Sequence, residues 1–195
     1  VLWCARWMIG LKVEIRGTPP THEVMVAAKH QSFLDVLAIY AAMPRGKFIF
    51  KSLLKWAPVI GWFGLRIGCI PVDRGKRGAA IIKMLADVKA GTASPGQLII
   101  YPQGTRVAPG VEKPYKKGTG ALYKELGQSC VPVATNIGVF WPKRGVYRKP
   151  GTAVVSFLEE IPAGLEVPVF LEMIETQIET ASHSLAVEAG FVPDD

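Results

Sequence analysis

Val24-Met25-Val26-Ala27-Ala28-Lys29-His30-Gln31-Ser32-Phe33-Leu34-Asp35 is the stretch whose reading decides the fold. Its first five residues are a short apolar run, as a buried strand requires. Ser32-Phe33-Leu34-Asp35 then has the S-x-x-D form of a helix capping box, and Val36 to Met43 follow with helical apolar spacing. A strand that turns directly into a helix is the unit from which α/β sheets are built. His30 falls at the C-terminal end of the strand, where such sheets carry their chemistry.

Outward from this unit the same alternation continues. Lys12 to Arg16 alternates charged and β-branched residues and predicts a half-exposed strand, closed by a turn over Gly17 to Pro20. Phe48 to Phe50, Leu98 to Tyr101, Val131 to Thr135 and Ala153 to Leu158 predict further strands. Ala79 to Ala90 predicts a helix ended by Gly91, and Gly120 to Leu126 one stopped by Gly127. Residues 168–187 predict a terminal amphipathic helix with Phe170, Ile174, Ile178, Ala181 and Leu185 as its apolar stripe. The expected architecture is α/β: a single domain over residues 1–195 with a mixed, largely parallel central sheet flanked by helices.

Composition narrows the class. With 195 residues the chain can bury a real core. Hydrophobic residues make up 49% and the mean hydropathy is +0.24. The most apolar window, Ser52 to Val72, is interrupted by Lys55, Pro58 and Arg66, so it does not read as a membrane span. It mixes Trp56, Trp62 and Phe63 with basic flanks, which fits either a membrane-interface segment or a core-packing helix hairpin. No signal peptide is visible. Residues 1–11, with Trp3 and Trp7, are expected to lie close to a membrane, and an anchor upstream of Val1 is a further expectation. A net charge of +7 favours anionic lipid or phosphorylated substrates. Nucleic acid is disfavoured, because the cations are not gathered on one helix and no single-strand or zinc-finger motif occurs. Cys4, Cys69 and Cys130 lie too far apart for a disulfide framework or a metal-ligand spacing.

Three clusters can carry chemistry. An imidazole, with an unperturbed pKa near ~6.5, can accept a proton at neutral pH, which makes His30 a candidate base, and a carboxylate on its far nitrogen would fix its tautomer. On a continuous helix, residues five apart point about 140° away from each other. If Ser32 is the N-cap, however, His30 precedes the helix and Asp35 sits in its first turn, so the two can meet. The same spacing fits an aspartate that only caps and a histidine that only ends a strand, and spacing by itself favours that reading. Asp73-Arg74-Gly75-Lys76-Arg77 is a basic junction suited to phosphate, or a solvated charged loop. Pro102-Gln103-Gly104-Thr105-Arg106 ends a buried strand with a glycine, a hydroxyl and a guanidinium, a phosphate loop or an ordinary turn. His22, beside a turn, and His183, on the terminal helix, are expected to lack acidic or thiol company and read as structural or exposed. No G-x-S-x-G, P-loop or H-E-x-x-H pattern occurs, and no metal site is visible.

Taken in order, these pieces resemble the 1-acyl-glycerol-3-phosphate acyltransferases, the glycerolipid acyltransferases with an H-x-x-x-x-D motif. Lys29 to Asp35 looks like that family's N-H-Q-S-x-x-D, Ile70 to Arg74 its second motif, Tyr101 to Arg106 its F-P-E-G-T-R, and Val131-Pro132-Val133 its fourth. The resemblance covers roughly Lys12 to Phe140. Two positions depart from it: Lys29 stands where Asn is usual, and Gln103 where Glu is usual.

The resemblance implies acyl transfer from acyl-CoA or acyl-carrier protein to the free hydroxyl of 1-acyl-glycerol-3-phosphate, giving phosphatidic acid for phospholipid synthesis. It implies His30 as general base oriented by Asp35, a phosphate site from Arg74, Gly104, Thr105 and Arg106, Gln103 as an acceptor-positioning candidate, and no metal or other cofactor. It also implies docking on an anionic membrane surface at the cytoplasmic face. Alternatives are the same chemistry on another lysolipid, such as a lyso-aminolipid, or a catalytically silent anionic-lipid-binding module.

Overall fold

The computed structural model describes residues 1–51, 53, 56, 61, 62, 66, 70–72, 86 and 96–192. Seven strands form one sheet among them: β1 (Leu11–Arg16), β2 (Met25–Ala28), β3 (Gly46–Lys51), β4 (Ile70–Val72), β5 (Gln97–Ile100), β6 (Cys130–Thr135) and β7 (Gly151–Phe157). Their order across the sheet is β1-β7-β6-β2-β5-β3-β4. Every neighbouring pair is parallel except β6 with β7, so the sheet is mixed and largely parallel, as the sequence predicts. Most of Leu53 to Ile67, and the expected Ala79 to Ala90 helix apart from Ala86, lie outside the described residues.

The central strand explains why the sheet needs helices on both faces. β2 is buried along its whole length, and its side chains alternate. Val26 and Ala28 join a cluster with Leu34, Ala38 and Ile39 of α2 (Phe33–Ala42) and Ile137 and Phe140 of α4 (Ile137–Phe140). Met25 and Ala27 face the other way. They meet Tyr123 of α3 (Lys117–Leu126) and Phe170, Ile174 and Ile178 of α5 (Val167–Glu188). The α5 stripe is the one its sequence spacing predicts, and each fully buried side chain on it is worth about 1.5–3 kcal/mol. Tyr123 and Phe170 stack with ring centroids 3.7 Å apart, which locks α3 to α5.

The N-terminal segment is a short helix, α1 (Leu2–Cys4), continued by a π-helical turn over Ala5–Ile9. Ala5 is buried against the sheet, whereas Trp3 and Trp7 are each 70% exposed with ring centroids 6.2 Å apart. No described helix is long and apolar enough to cross a membrane.

Candidate active site

The C-terminal ends of β2, β5 and β6 point the same way, and the site forms where they stop. Ser32 is the N-cap of α2 in an extended conformation, and its Oγ accepts the Leu34 N–H at 3.2 Å. Asp35, one turn into the helix and 0% exposed, returns the bond: its Oδ2 accepts the N–H groups of Gln31 at 2.7 Å and Ser32 at 2.8 Å. Its other oxygen, Oδ1, faces His30 Nδ1 at 3.0 Å. One carboxylate therefore caps the helix and holds the imidazole. An Asp35 anchored by N–H donors accepts the Nδ1–H, which leaves the lone pair on Nε2. The ring is 17% exposed, so it is held from behind and open in front.

Gln31 fixes the next strand end. Its Oε1 accepts the Gly138 N–H at 2.9 Å across from α4. A Cβ on Gly138 would lie 2.8 Å from Gln31 Cβ, so only glycine allows this approach.

The β5 end supplies the second wall. Tyr101 stacks on His30 with centroids 4.0 Å apart at 20°. The chain then turns sharply: Gly104 N–H donates to Tyr101 O at 2.9 Å, with Gly104 at φ +67. The amide of Gly104 thus closes the turn, and Thr105 and Arg106, both half-buried, remain as the loop's candidates for binding an anion. Val107 N–H donates to His30 O at 2.7 Å, which ties the loop to the histidine. Two lysines flank it. The Lys116 side chain covers Gly104 so closely that a Cβ there would sit 2.5 Å from Nζ, and Lys143 Nζ donates to Arg106 O at 3.1 Å. Neither lysine carries a signal in sequence, because both stand in a loop region without periodicity.

A polar cluster lies behind these loops. Lys29 is 3% exposed and its Nζ donates to both oxygens of Glu179 on α5, at 2.7 and 2.5 Å. Glu179 Oε1 also accepts the Tyr115 hydroxyl at 2.9 Å and Gln103 Nε2 at 3.4 Å. Gln103 Nε2 donates to Lys113 O at 3.0 Å as well.

Burial, reinforced by the Asp35 charge, holds the Tyr101 phenol well above the ordinary value of 10.0, and burial with Glu179 does the same for Tyr115. A folded-state pKa above the unfolded one contributes stability that is complete below pH 10 and is lost as the pH rises past it. In an alkaline titration, Tyr101 and Tyr115 are expected to gain phenolate absorbance only as the fold opens. Ionisation of all five tyrosines with the helical circular dichroism intact would contradict this.

Of the residues proposed from sequence, His30 and Asp35 are in contact, and the Gln103 to Arg106 loop is joined to them through Val107. Arg74 lies outside the described residues; the strand before it, β4, runs parallel to β3. His22 is not without acidic company, since its Nε2 lies 3.1 Å from Glu160 Oε1. That partner sits 138 positions away and has no local signal in sequence. Burial pushes the Cys130 thiol up to about 12, which makes it a poor nucleophile. No group of three or more metal-ligating side chains occurs among the described residues.

The sequence and the fold have counterparts among known proteins. A 1-acyl-sn-glycerol-3-phosphate acyltransferase of Pseudomonas aeruginosa is 27% identical over 156 residues, which cover 79% of this chain and 61% of that protein. The chain thus spans about three fifths of that relative's length. The human 1-acyl-sn-glycerol-3-phosphate acyltransferase alpha is 27% identical over 192 residues, 94% of this chain and 68% of its own length. The crystal structure of the 1-acyl-sn-glycerophosphate (LPA) acyltransferase PlsC from Thermotoga maritima superposes with a TM-score of 0.75 at 22% identity, covering 89% of this chain and 71% of that one. The fold is therefore shared with that enzyme. The acyltransferase family model matches residues 11–136, a span that runs from β1 through β6 and takes in His30, Asp35 and the Gln103 to Arg106 loop, and the chain belongs to the acyltransferase family.

Proposed function

We propose that this protein transfers a fatty acyl group from acyl-CoA or acyl-carrier protein to the free hydroxyl of 1-acyl-glycerol-3-phosphate, forming phosphatidic acid for phospholipid synthesis. The observation that carries the reading is the 3.0 Å contact between His30 Nδ1 and Asp35 Oδ1, joined through Val107 to a loop bearing Thr105 and Arg106. The names of the relatives point to the same acceptor.

The chemistry follows from the groups present. The acceptor hydroxyl is a poor nucleophile, and His30 Nε2 removes its proton as the oxygen attacks the thioester carbonyl. Asp35 stabilises the imidazolium that forms. When the tetrahedral intermediate collapses, the C–S bond breaks and the thiolate leaves readily, since thiols have a pKa near ~8.5. The imidazolium returns its proton to the sulfur. Every proton in the cycle passes through His30, so the scheme calls for no metal ion or organic cofactor. Arg74, Thr105 and Arg106 hold the acceptor phosphate, Gly104 shapes the turn that presents the latter two, and Gln103 positions that loop. The exposed Trp3 and Trp7, with Arg6 and Lys12 nearby in sequence, suit docking on an anionic bilayer at its cytoplasmic face, where acceptor and product reside.

The test is thiol release from acyl-CoA or acyl-carrier protein by purified protein on vesicles containing 1-acyl-glycerol-3-phosphate. Transfer to that acceptor bears the reading out. Transfer only to another lysolipid changes the acceptor, and vesicle binding without transfer leaves a silent lipid-binding module. Arg106→Ala is expected to raise the acceptor KM by about 10-fold or more, the loss of one charge-assisted contact, with a smaller effect on kcat. An unchanged acceptor KM would remove Arg106 from the phosphate site.

A further inference from the structure

We infer that Glu179, on the terminal helix α5, is a positioning residue for the site: its carboxylate holds Lys29 and Gln103 together and thereby sets the two loops that carry His30 and Arg106. The inference rests on the acyl-transfer reading for what the positioning serves, and on geometry for the positioning itself.

Three segments far apart in sequence meet on this one carboxylate. Lys29 directly precedes His30, and its N–H donates to Val133 O at 2.9 Å, so it is the last residue tied to the sheet before the site begins. Its side chain is almost wholly removed from solvent, so the ammonium requires a counter-charge, and Glu179 supplies it at 2.5 and 2.7 Å. Gln103 directly precedes Gly104-Thr105-Arg106, and its Nε2 approaches the same Oε1 that accepts from Lys29 and Tyr115. Glu175, one turn earlier on α5, does not duplicate the role. Burial and the Glu179 charge raise its carboxyl, with Glu112 adding to the rise and Lys29 opposing it. Its negative charge is thus disfavoured where that of Glu179 is paired.

The two departures from the motif pattern now have one explanation. A cation at 29 and an amide at 103 replace the usual amide and carboxylate, and the negative charge comes from α5 instead. Since Lys29 and Gln103 share one oxygen of Glu179, a carboxylate at either 103 or 179 stands beside the Lys29 ammonium. Two carboxylates there repel, and none leaves the ammonium unpaired.

The experiment is the charge swap. Glu179→Gln is expected to lower kcat/KM about 10²-fold, the scale of a misplacement transmitted to the reacting groups. It is also expected to shift the downfield Nδ1–H resonance that His30 gains from Asp35, a signature that needs no substrate. Gln103→Glu by itself lowers the rate as well, by crowding two carboxylates. The double variant Gln103→Glu/Glu179→Gln recovers the rate and the resonance, with a coupling of at least about tenfold, or about 1.4 kcal/mol. If Glu179→Gln does not fold, Lys29→Asn/Glu179→Gln removes both charges and is expected to fold with its rate still at least about tenfold low. Wild-type rate and an unmoved His30 resonance in either Glu179 variant overturn the proposal, as does a swap no better than the product of its singles. A wild-type protein that transfers no acyl group sinks the acyl-transfer reading instead, and the His30 resonance then decides the role of Glu179 alone.

Discussion

His30→Ala is expected to reduce acyl transfer by about 10²–10⁴-fold, the usual contribution of a positioned general base. Nothing else in the described site can substitute. Asp35 is fully buried and already accepts three donors, and on the loop tied to His30 the Thr105 hydroxyl and the Arg106 guanidinium do not accept a proton at neutral pH. The fold should survive. The ring is a partly open lid on Tyr101, not a core member, and a stacked pair of this kind is worth about 0.5–1.5 kcal/mol. The backbone link from Val107 N–H to His30 O does not depend on the side chain. A loss of that size lowers Tm by only about 2–4 °C for each kcal/mol in a protein of this length. Thiol-release kinetics beside a thermal melt separate the two effects. A variant that melts normally and still turns over near the wild-type rate would end the general-base assignment.

Asp35→Asn carries the second large effect, and here rate and stability cannot both be spared. In the native residue Oδ2 accepts two backbone N–H groups while Oδ1 accepts from His30. An asparagine has one oxygen and one NH₂. With the oxygen toward Gln31 and Ser32, the NH₂ faces His30 Nδ1 and forces that nitrogen to accept. The ring proton then moves to Nε2, and the base is lost. With the amide turned over, the NH₂ confronts two N–H donors, and the helix cap fails in a fully buried position. The first orientation predicts a rate loss of about 10²-fold or more with a modest change in Tm. The second predicts a loss of about 1–3 kcal/mol for each unsatisfied donor. Either outcome is read from kcat/KM and urea unfolding on one sample. Unchanged values in both would show that Asp35 neither caps nor orients.

Much of this site is legible in the sequence because its signals are local. The apolar run before His30, the Ser32 cap and the carboxylate three residues on are written in consecutive residues, and the strand, turn and helix follow them. At Asp35 one local detail decides the geometry. Helical spacing places it away from His30, and only the N-cap at Ser32 brings them together. The long-range contacts are not legible. The partner of Lys29 is 150 positions away, on a helix whose visible pattern concerns only its apolar stripe. Lys29 and Gln103 look like separate misprints in two motifs, which conceals that they answer to the same carboxylate. Strand order is hidden for the same reason, since pairing between distant strands leaves no mark on either alone.

That strand order has a consequence for synthesis. β2 lies between β5 and β6, and β1 lies beside β7, with Leu11 opposite Gly151. At ribosomal rates of about 5–20 residues per second, the roughly one hundred residues separating β2 from β6 take about 5–20 s to appear. Until β5 appears, about seventy residues on, the chain carries the fully buried Met25 to Ala28 with neither flank covered, and until β6 appears only one flank is covered. Closing contacts of such sequence separation also slows the folding step itself. His30 and Asp35 are made before β5, β6 and α5, the elements that complete their surroundings, so a nascent chain of this protein needs shelter early and completes its site late.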